Sequence, residues 1–341
     1  MFTIEDANQL KDSLAEFDFA TPISSDQVTQ SYINHYGLDF NSEKLTVTHY
    51  LGCYSSGRFR IACQYFARPI ESQQATIILV HGYYDHVGLY GHLIKHCLNS
   101  GYSVLTFDLP GHGLSTGVTA SIDNFDQYSD ALADCLALAN LQGLTKPWFV
   151  VGQSTGAAAI INYLLKEQQI AQYPFDKIIF LAPLLKPRNW IKAILFHSLF
   201  RLFLKKIKRD FSPNSHDKNF SQFIAEKDPL QSRFLSIDWI NALKHYLADF
   251  AAAPRHGEAI HIVQGTDDGT VNWRHNLPKL LEKFPNAKTY LIKDAQHHMV
   301  NEVEEFRARI FAAVDSILIL PNSNQASSKK HTTTDSSLDT V

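Results

Sequence analysis

Cysteine is scarce in this chain, with four in 341 residues. Cys53, Cys63, Cys97 and Cys135 show no CxxC spacing and each sits in a stretch that reads as strand or helix. They read as small core residues, which argues against a disulfide framework or a zinc cluster and fits a reducing compartment. Charge is equally modest. Lys and Arg number 31 against 34 Asp and Glu, a net of -3. That supplies no field to gather nucleic acid, and no long block of like charge suggests a polyanion-binding tail. Also missing is an uninterrupted apolar run of roughly 18 residues, the length a helix needs to cross a bilayer. The opening MFTIEDANQL carries acids early and lacks a basic start followed by an apolar run, so no signal peptide is expected. These absences predict a cytoplasmic protein, soluble or held at a membrane only peripherally.

What the chain does have is apolar material, 45% of its residues, ample for a core. Its length exceeds a typical single domain but suits one α/β domain carrying an insertion. A mixed, helical N-terminal segment occupies residues 1–43. Residues 44–66 hold two β-rich runs, KLTVTHYLGCY and RFRIACQYF, separated by Ser55, Ser56 and Gly57, which predicts a hairpin. Beyond it, short apolar runs alternate with helical patterns: TIILVHG before 88–100, YSVLTFD before 122–142, PWFVVGQ before 154–169, then KIIFLAP. Such alternation predicts a mostly parallel central sheet with helices on both faces. It breaks off near residue 186 and resumes with AIHIVQGTDD, a helix at 273–284, TYLIKD and a last helix at 301–318. The expected organisation is a core at 44–185 and 256–320 with an inserted helical cap at 186–255. Residues 321–341, rich in Ser, Thr, Asn and Lys with no aromatic residue, read as a disordered tail.

Between PWFVVGQ and its helix stands Gly152-Gln153-Ser154-Thr155-Gly156, a complete G-x-S-x-G. Two glycines at such a joint cost stability, but they remove side chains that would collide with neighbouring elements. Ser154 can then occupy a strained turn with its hydroxyl lifted above the strand edge, where the N-terminal amides of the following helix also point. A serine hydroxyl is a poor nucleophile at neutral pH. It needs an imidazole to accept its proton and a carboxylate to fix that imidazole's tautomer. In this strand–turn–helix context both partners follow the serine in the chain. HIVQGTDDGTV supplies Asp267 and Asp268 after one late strand, and LIKDAQHHMVNE supplies His297 and His298 after the last. Attack on an ester carbonyl leaves negative charge on oxygen, which fixed amides must receive; the amide of Thr155, next after the serine, is one expected donor.

Five motifs in this order, HGYYDH, FDLPGHGLS, GQSTG, GTDDGTV and HHMVNE, make the chain resemble the α/β-hydrolase superfamily. Within it the likeness is to the lysophospholipase and monoacylglycerol lipase branch, which shares features with the serine aminopeptidase-like hydrolases, and it spans residues 45–185 and 256–318. The resemblance implies the α/β-hydrolase fold and a serine hydrolase that uses no cofactor and no metal. The family pattern G-T-x-D-x-x-V, in register with Gly265, Thr266 and Val271, puts the acid on Asp268 and leaves Asp267 as a turn residue. The pattern H-x-x-x-N-E, met by Asn301 and Glu302, puts the base on His297 and leaves His298 pointing away, a surface or helix-entry histidine. The second oxyanion donor is implied to be the amide of Tyr83, while His81, His86 and His112 are implied to structure loops. Two tyrosines in HGYYDH depart from common members and are expected to narrow the acyl pocket or line its mouth.

The insertion opens with KPRNWIKAILFHSLFRLFLKKIKR, residues 186–209, which holds eight basic residues and no acidic one. On a helical wheel Leu195, Phe196, Leu199, Phe200, Phe203 and Ile207 share one arc, and His197, Arg201, Lys205 and Lys208 another: an apolar face with a cationic margin. Two readings stay open. One is a cap helix packed on the core with solvated cations; the other is a lid that touches acyl chains and makes peripheral contact with a membrane. The resemblance implies cleavage of a mono-acyl lipid ester, lysophospholipid or monoacylglycerol, through an acyl-enzyme. One alternative is a soluble carboxylesterase, or an aminopeptidase-like hydrolase using cap carboxylates such as Glu226 and Asp228. The other is a non-catalytic binding protein on the same fold.

Overall fold

Continuous apolar runs such as TIILVHG are buried on both sides only in a sheet covered by helices on each face. The computed structural model builds that arrangement over its described residues, 2–42, 45–166, 173–200 and 203–319. Two short helices come first. α1 (Ile4–Ser13) starts in a reciprocal capping box between Thr3 and Asp6, and α2 (Gln27–Tyr36) is capped by Asp26 and ended by Gly37 in the left-handed conformation. There follow β1 (Thr48–Ser56), β2 (Phe59–Ala67), β3 (Ala75–Val80), α3 (Gly91–Asn99), β4 (Tyr102–Phe107), α4 (Asp126–Leu141), β5 (Trp148–Gln153), α5 (Thr155–Lys166) and β6 (Lys177–Leu181). The expected hairpin is β1 with β2. Ser55 and Ser56 are paired strand residues, however, so the turn shrinks to Gly57 and Arg58.

After β6 come α6 (Trp190–Phe200), β7 (Lys206–Lys208), α7 (Lys218–Gln222), a π-helical turn at Phe223–Lys227, β8 (Phe234–Ser236) and α8 (Ile237–Ala252). The chain then returns through β9 (Ile260–Gly265), α9 (Trp273–Lys283), β10 (Lys288–Ile292) and α10 (Glu304–Leu318). Eight strands form the main sheet in the order β1-β2-β4-β3-β5-β6-β9-β10. Pairing is antiparallel at β1/β2 and β2/β4 and parallel everywhere else. The strand pleat divides each apolar run between two cores. Along β3, Ile77 and Leu79 pack with α3 and α10, whereas Ile78 and Val80 pack with α4, α5 and α8.

The single long amphipathic helix expected through residue 207 is not present. α6 ends at Phe200, and Lys206–Lys208 pair antiparallel with Phe234–Ser236, so Phe203 and Ile207 lie off the helix. The alternation Lys-Ile-Lys suits a strand with one face against protein, and the distant partner β8 decides for it. His197 is buried rather than on a cationic margin. Arg201, residues 167–169 of the expected fifth helix, the side chains of Phe196 and Phe200, and the tail at 321–341 lie outside what the structure describes. α8 is not a loose cap element: Ile240, Leu243 and Tyr246 share a core with Tyr128 and Leu132, and Tyr246 stacks on Phe125 at 4.6 Å.

Candidate active site

β5 ends at Gln153 and α5 begins at Thr155, which leaves Ser154 as the whole joint, at φ +52°. A residue with a Cβ holds that conformation only where its surroundings over-determine it. Here the Ser154 amide donates to Leu181 O at 2.9 Å, and its carbonyl accepts from Ala158 and Leu184, both at 3.1 Å. The flanking glycines are needed for space rather than for their dihedrals. A Cβ on Gly156 would sit 2.6 Å from His81 O and closer still to Val80 O; one on Gly152 would sit 2.6 Å from Ile160 Cδ1 and 2.7 Å from Ala157 N. α5 therefore rests directly on the ends of β3 and β5.

His297 brings its Nε2 to 3.0 Å from Ser154 Oγ and its Nδ1 to 2.8 Å from Asp268 Oδ2. The carboxylate is fixed in turn by the amides of Thr270 at 2.8 Å and Val271 at 3.0 Å and by Gln264 Nε2 at 3.0 Å. Burial alone would raise the Asp268 carboxyl, but the imidazole of His297 and these donors outweigh it and hold it below its ordinary range. The converse applies to His297: burial opposes its charged form, and Asp268 overrides burial and raises it. This is the geometry for withdrawing a proton from Ser154 and stabilising the imidazolium that forms.

The rejected twins differ in fate. Asp267 is exposed, as a turn residue would be. His298 does not lie at the surface: it is 3% exposed, with Nε2 3.1 Å from Asp85 Oδ1 and its ring beside Phe220. The backbone cannot bring both neighbours to Ser154, so the second imidazole finds a separate carboxylate. Asp85 also accepts from Tyr90 Oη at 2.9 Å, and that hydroxyl accepts from the Gly82 amide at 2.9 Å. This chain links the loop carrying His297 and His298 to the loop at Gly82. Sequence reasoning missed it, because Asp85 and Tyr90 carry no spacing signal that names His298. Glu302 is buried and accepts from the amides of Gln296 at 2.6 Å and His216 at 2.8 Å, and Asn301 Nδ2 donates to Leu89 O at 2.7 Å. The N-E pair of the motif thus clamps the histidine loop.

Of the two expected oxyanion donors, one directly follows the serine and the other follows a glycine packed against it. Thr155 opens α5, and a Cβ on Gly82, next to Tyr83, would come within 3.5 Å of Ser154 Cβ. The Tyr83 ring stacks on Trp239 at 3.8 Å and its hydroxyl donates to Ala120 O, so this side chain ties the loop to α8. His81 accepts from the Leu109 amide and is held neutral by burial, down to about 3. His112, down to about 4 for the same reason, lies 2.9 Å from Pro110 O. His86 pairs with Asp228 at 3.0 Å. That pairing, and the bond from Tyr36 Oη at 2.7 Å, occupy the carboxylate expected to be free for an amine. Glu226 is exposed and bound by Gln222, and neither acid lines the cavity above Ser154. That cavity holds about 260 Å³, with Leu184, Trp190, Leu235, Trp239 and Ile240 among its apolar walls and Tyr84, Arg209, Asn214 and His298 among its polar ones.

Residues 71–304 match the family described as serine aminopeptidase, S33. The chain is 28% identical over 267 residues to a monoglyceride lipase homolog of monkeypox virus, covering 75% of this chain and 93% of that one. It is 32% identical over 101 residues to phospholipase YtpA of Bacillus subtilis (strain 168), covering 30% of this chain and 37% of that one, so it spans little more than a third of that relative's length. A soluble variant of the monoglyceride lipase of Saccharomyces cerevisiae, solved with a substrate analog, superposes with a TM-score of 0.66 at 17% identity over 81% of this chain and 96% of that one. That likeness is one of fold, and it extends to other α/β-hydrolase structures, among them a mouse α/β-hydrolase domain protein at a TM-score of 0.55. With its mostly parallel eight-stranded sheet and a match across 71–304, the chain has the α/β-hydrolase fold and belongs to the serine aminopeptidase S33 family.

Proposed function

We propose that this hydrolase cleaves the carboxylic ester of a mono-acyl lipid, a lysophospholipid or monoacylglycerol, through an acyl-enzyme intermediate. The observation that carries the reading is the relay Ser154, His297, Asp268, with steps of 3.0 and 2.8 Å, opening into a cavity walled by Trp190, Leu235, Trp239 and Ile240. Ser154 Oγ attacks the carbonyl while His297 Nε2 takes its proton, and the amides of Tyr83 and Thr155 receive the oxyanion. His297 then gives the proton to the leaving alcohol and activates the water that releases the acid. Asp268 keeps His297 in the required tautomer throughout. The monoglyceride lipase and phospholipase names of the relatives support an acyl-lipid substrate.

The same reading includes peripheral contact with an anionic membrane. Ile191, Leu195, Leu199 and Phe203 are 75%, 66%, 68% and 81% exposed, with the exposed ends of Lys192, Lys205, Lys206 and Lys208 in the same segment. Large exposed apolar side chains interleaved with cations along one segment suit the headgroup region of a bilayer. No helix among the described residues is long and apolar enough to cross a membrane.

An ester series of increasing acyl length tests the substrate. Each buried methylene is worth about 0.8 kcal/mol, so kcat/KM should rise about tenfold for every two carbons added while the chain still enters the cavity. A profile flat beyond about six carbons would leave a carboxylesterase of small substrates instead.

A further inference from the structure

The cavity at Ser154 is not apolar throughout. One contiguous group of its lining residues is polar: Arg209 stacks on Tyr84 at 3.8 Å, Asp85 follows Tyr84 and lies 3.1 Å from His298, and the His298 amide donates to Asn214 O at 2.8 Å. All five line the cavity. Within this group Asn214 Oδ1 and His298 Nδ1 are buried and have no hydrogen-bond partner among the described residues. A buried polar atom left unpaired is costly unless something else enters to satisfy it.

Arg209 is the cation of the group. Among the described residues its side chain meets Gln231 Oε1 at 2.6 Å, Ser232 O at 3.4 Å, and the rings of Tyr84 and Phe211; none is a carboxylate. Both polar contacts use one terminal nitrogen, Nη1. A guanidinium held against two rings, 3.8 and 4.3 Å from their centroids, has its remaining donors constrained, and it remains charged even when burial disfavours the charge. Asp85, the one acid among the described residues that line the cavity, is already engaged by His298 and Tyr90. The polar group therefore offers a fixed cation and two unpaired acceptors, Asn214 Oδ1 and, with Nε2–H donating to Asp85, His298 Nδ1, which suit head-group hydroxyls within reach of the same space as the serine. A planar fork of this kind matches a phosphate better than a neutral glycerol.

We propose that Arg209 receives the phosphate of a lysophospholipid head group, whose hydroxyls Asn214 Oδ1 and His298 Nδ1 accept, and makes the enzyme selective for that class over neutral mono-acyl lipids. This rests on the ester-hydrolase reading above and chooses between its two substrate classes.

The test is the ratio of kcat/KM for lysophosphatidylglycerol to that for the monoacylglycerol with the same acyl chain, since general damage to the enzyme cancels in the ratio. The ratio should exceed one in the wild type and fall by about tenfold or more in Arg209→Gln, the loss typical of one charge-assisted hydrogen bond. Arg209→Lys, which keeps the charge but not the fork, should fall between. Added salt should lower the ratio in the wild type alone, which keeps the proposal testable if the glutamine variant does not fold. An equal loss on both lipids would make Arg209 a brace for β7 and β8 and overturn the proposal, as would a wild-type ratio at or below one. A wild-type ratio near one, together with monoacylglycerol hydrolysis that inorganic phosphate alters through Arg209, would mark a free-anion site instead and overturn it too. Failure of the lipid-ester reading looks different: neither lipid would be hydrolysed while a short-chain ester still was.

Discussion

His297 and His298 are adjacent, both buried and each within 3.1 Å of a carboxylate, yet of the two it is His297 that brings a ring nitrogen to Ser154. His297→Ala should reduce kcat by about 10³-fold or more, as loss of a triad base does. His298→Ala should cost no more than about tenfold, since it removes a tie to Asp85 and leaves the base in place. Steady-state kinetics on a soluble ester separates the two, and a larger loss in the second variant would move the base to the other twin. The pH dependence follows from Asp268. A general base works only when neutral, so activity falls as pH drops through the histidine's pKa. Because the carboxylate raises that value above the usual 6.5, the acid limb of kcat/KM should lie above pH 6.5 and move down in Asp268→Asn. The family pattern that the resemblance supplied, in register with Asn301 and Glu302, singles out His297, and these two residues do clamp its loop. His298 was misjudged for a physical reason: its carboxylate lies 213 residues away, and no local pattern announces such a partner.

At the scale of elements, the turn between β5 and α5 depends on two missing side chains. Gly156→Ala would drive a Cβ into the Val80 and His81 carbonyls, which as fixed backbone cannot rotate away. We expect a loss of about 3 kcal/mol or more, at the upper end of overpacking, seen as a lower urea midpoint; an unchanged midpoint would mean that α5 can lift off β3. The same turn was readable because close packing demands particular residues at particular positions. α6 and β7 were not. Their residues fit one long amphipathic helix, and the strand at Lys206–Lys208 exists only because β8 returns to pair with it. The apolar residues left exposed on and after α6 give a further prediction. Leu195→Ser with Leu199→Ser should weaken binding to anionic vesicles by about tenfold or more, given roughly 1.5–3 kcal/mol for each leucine buried, with little effect on a soluble ester. Co-sedimentation measures it, and equal binding by both proteins would remove α6 from the membrane contact.

Across the whole molecule the site is a consequence of sheet topology. Ser154, Asp268 and His297 follow β5, β9 and β10, parallel neighbours separated by β6 alone, so residues far apart in the chain emerge at one end of the sheet. The alternation of apolar runs and helical patterns was enough to predict a parallel sheet and the hairpin before it. It could not predict that β4 would insert between β2 and β3, or that α8 would join the core, because both depend on contacts between distant segments. The account as a whole depends on Ser154 being the reactive hydroxyl. Labelling with a fluorophosphonate probe tests this most directly: the wild type should take up one probe, on the peptide that contains Ser154, and Ser154→Ala should take up none. Equal labelling of both proteins, or a probe found on another residue, would contradict it.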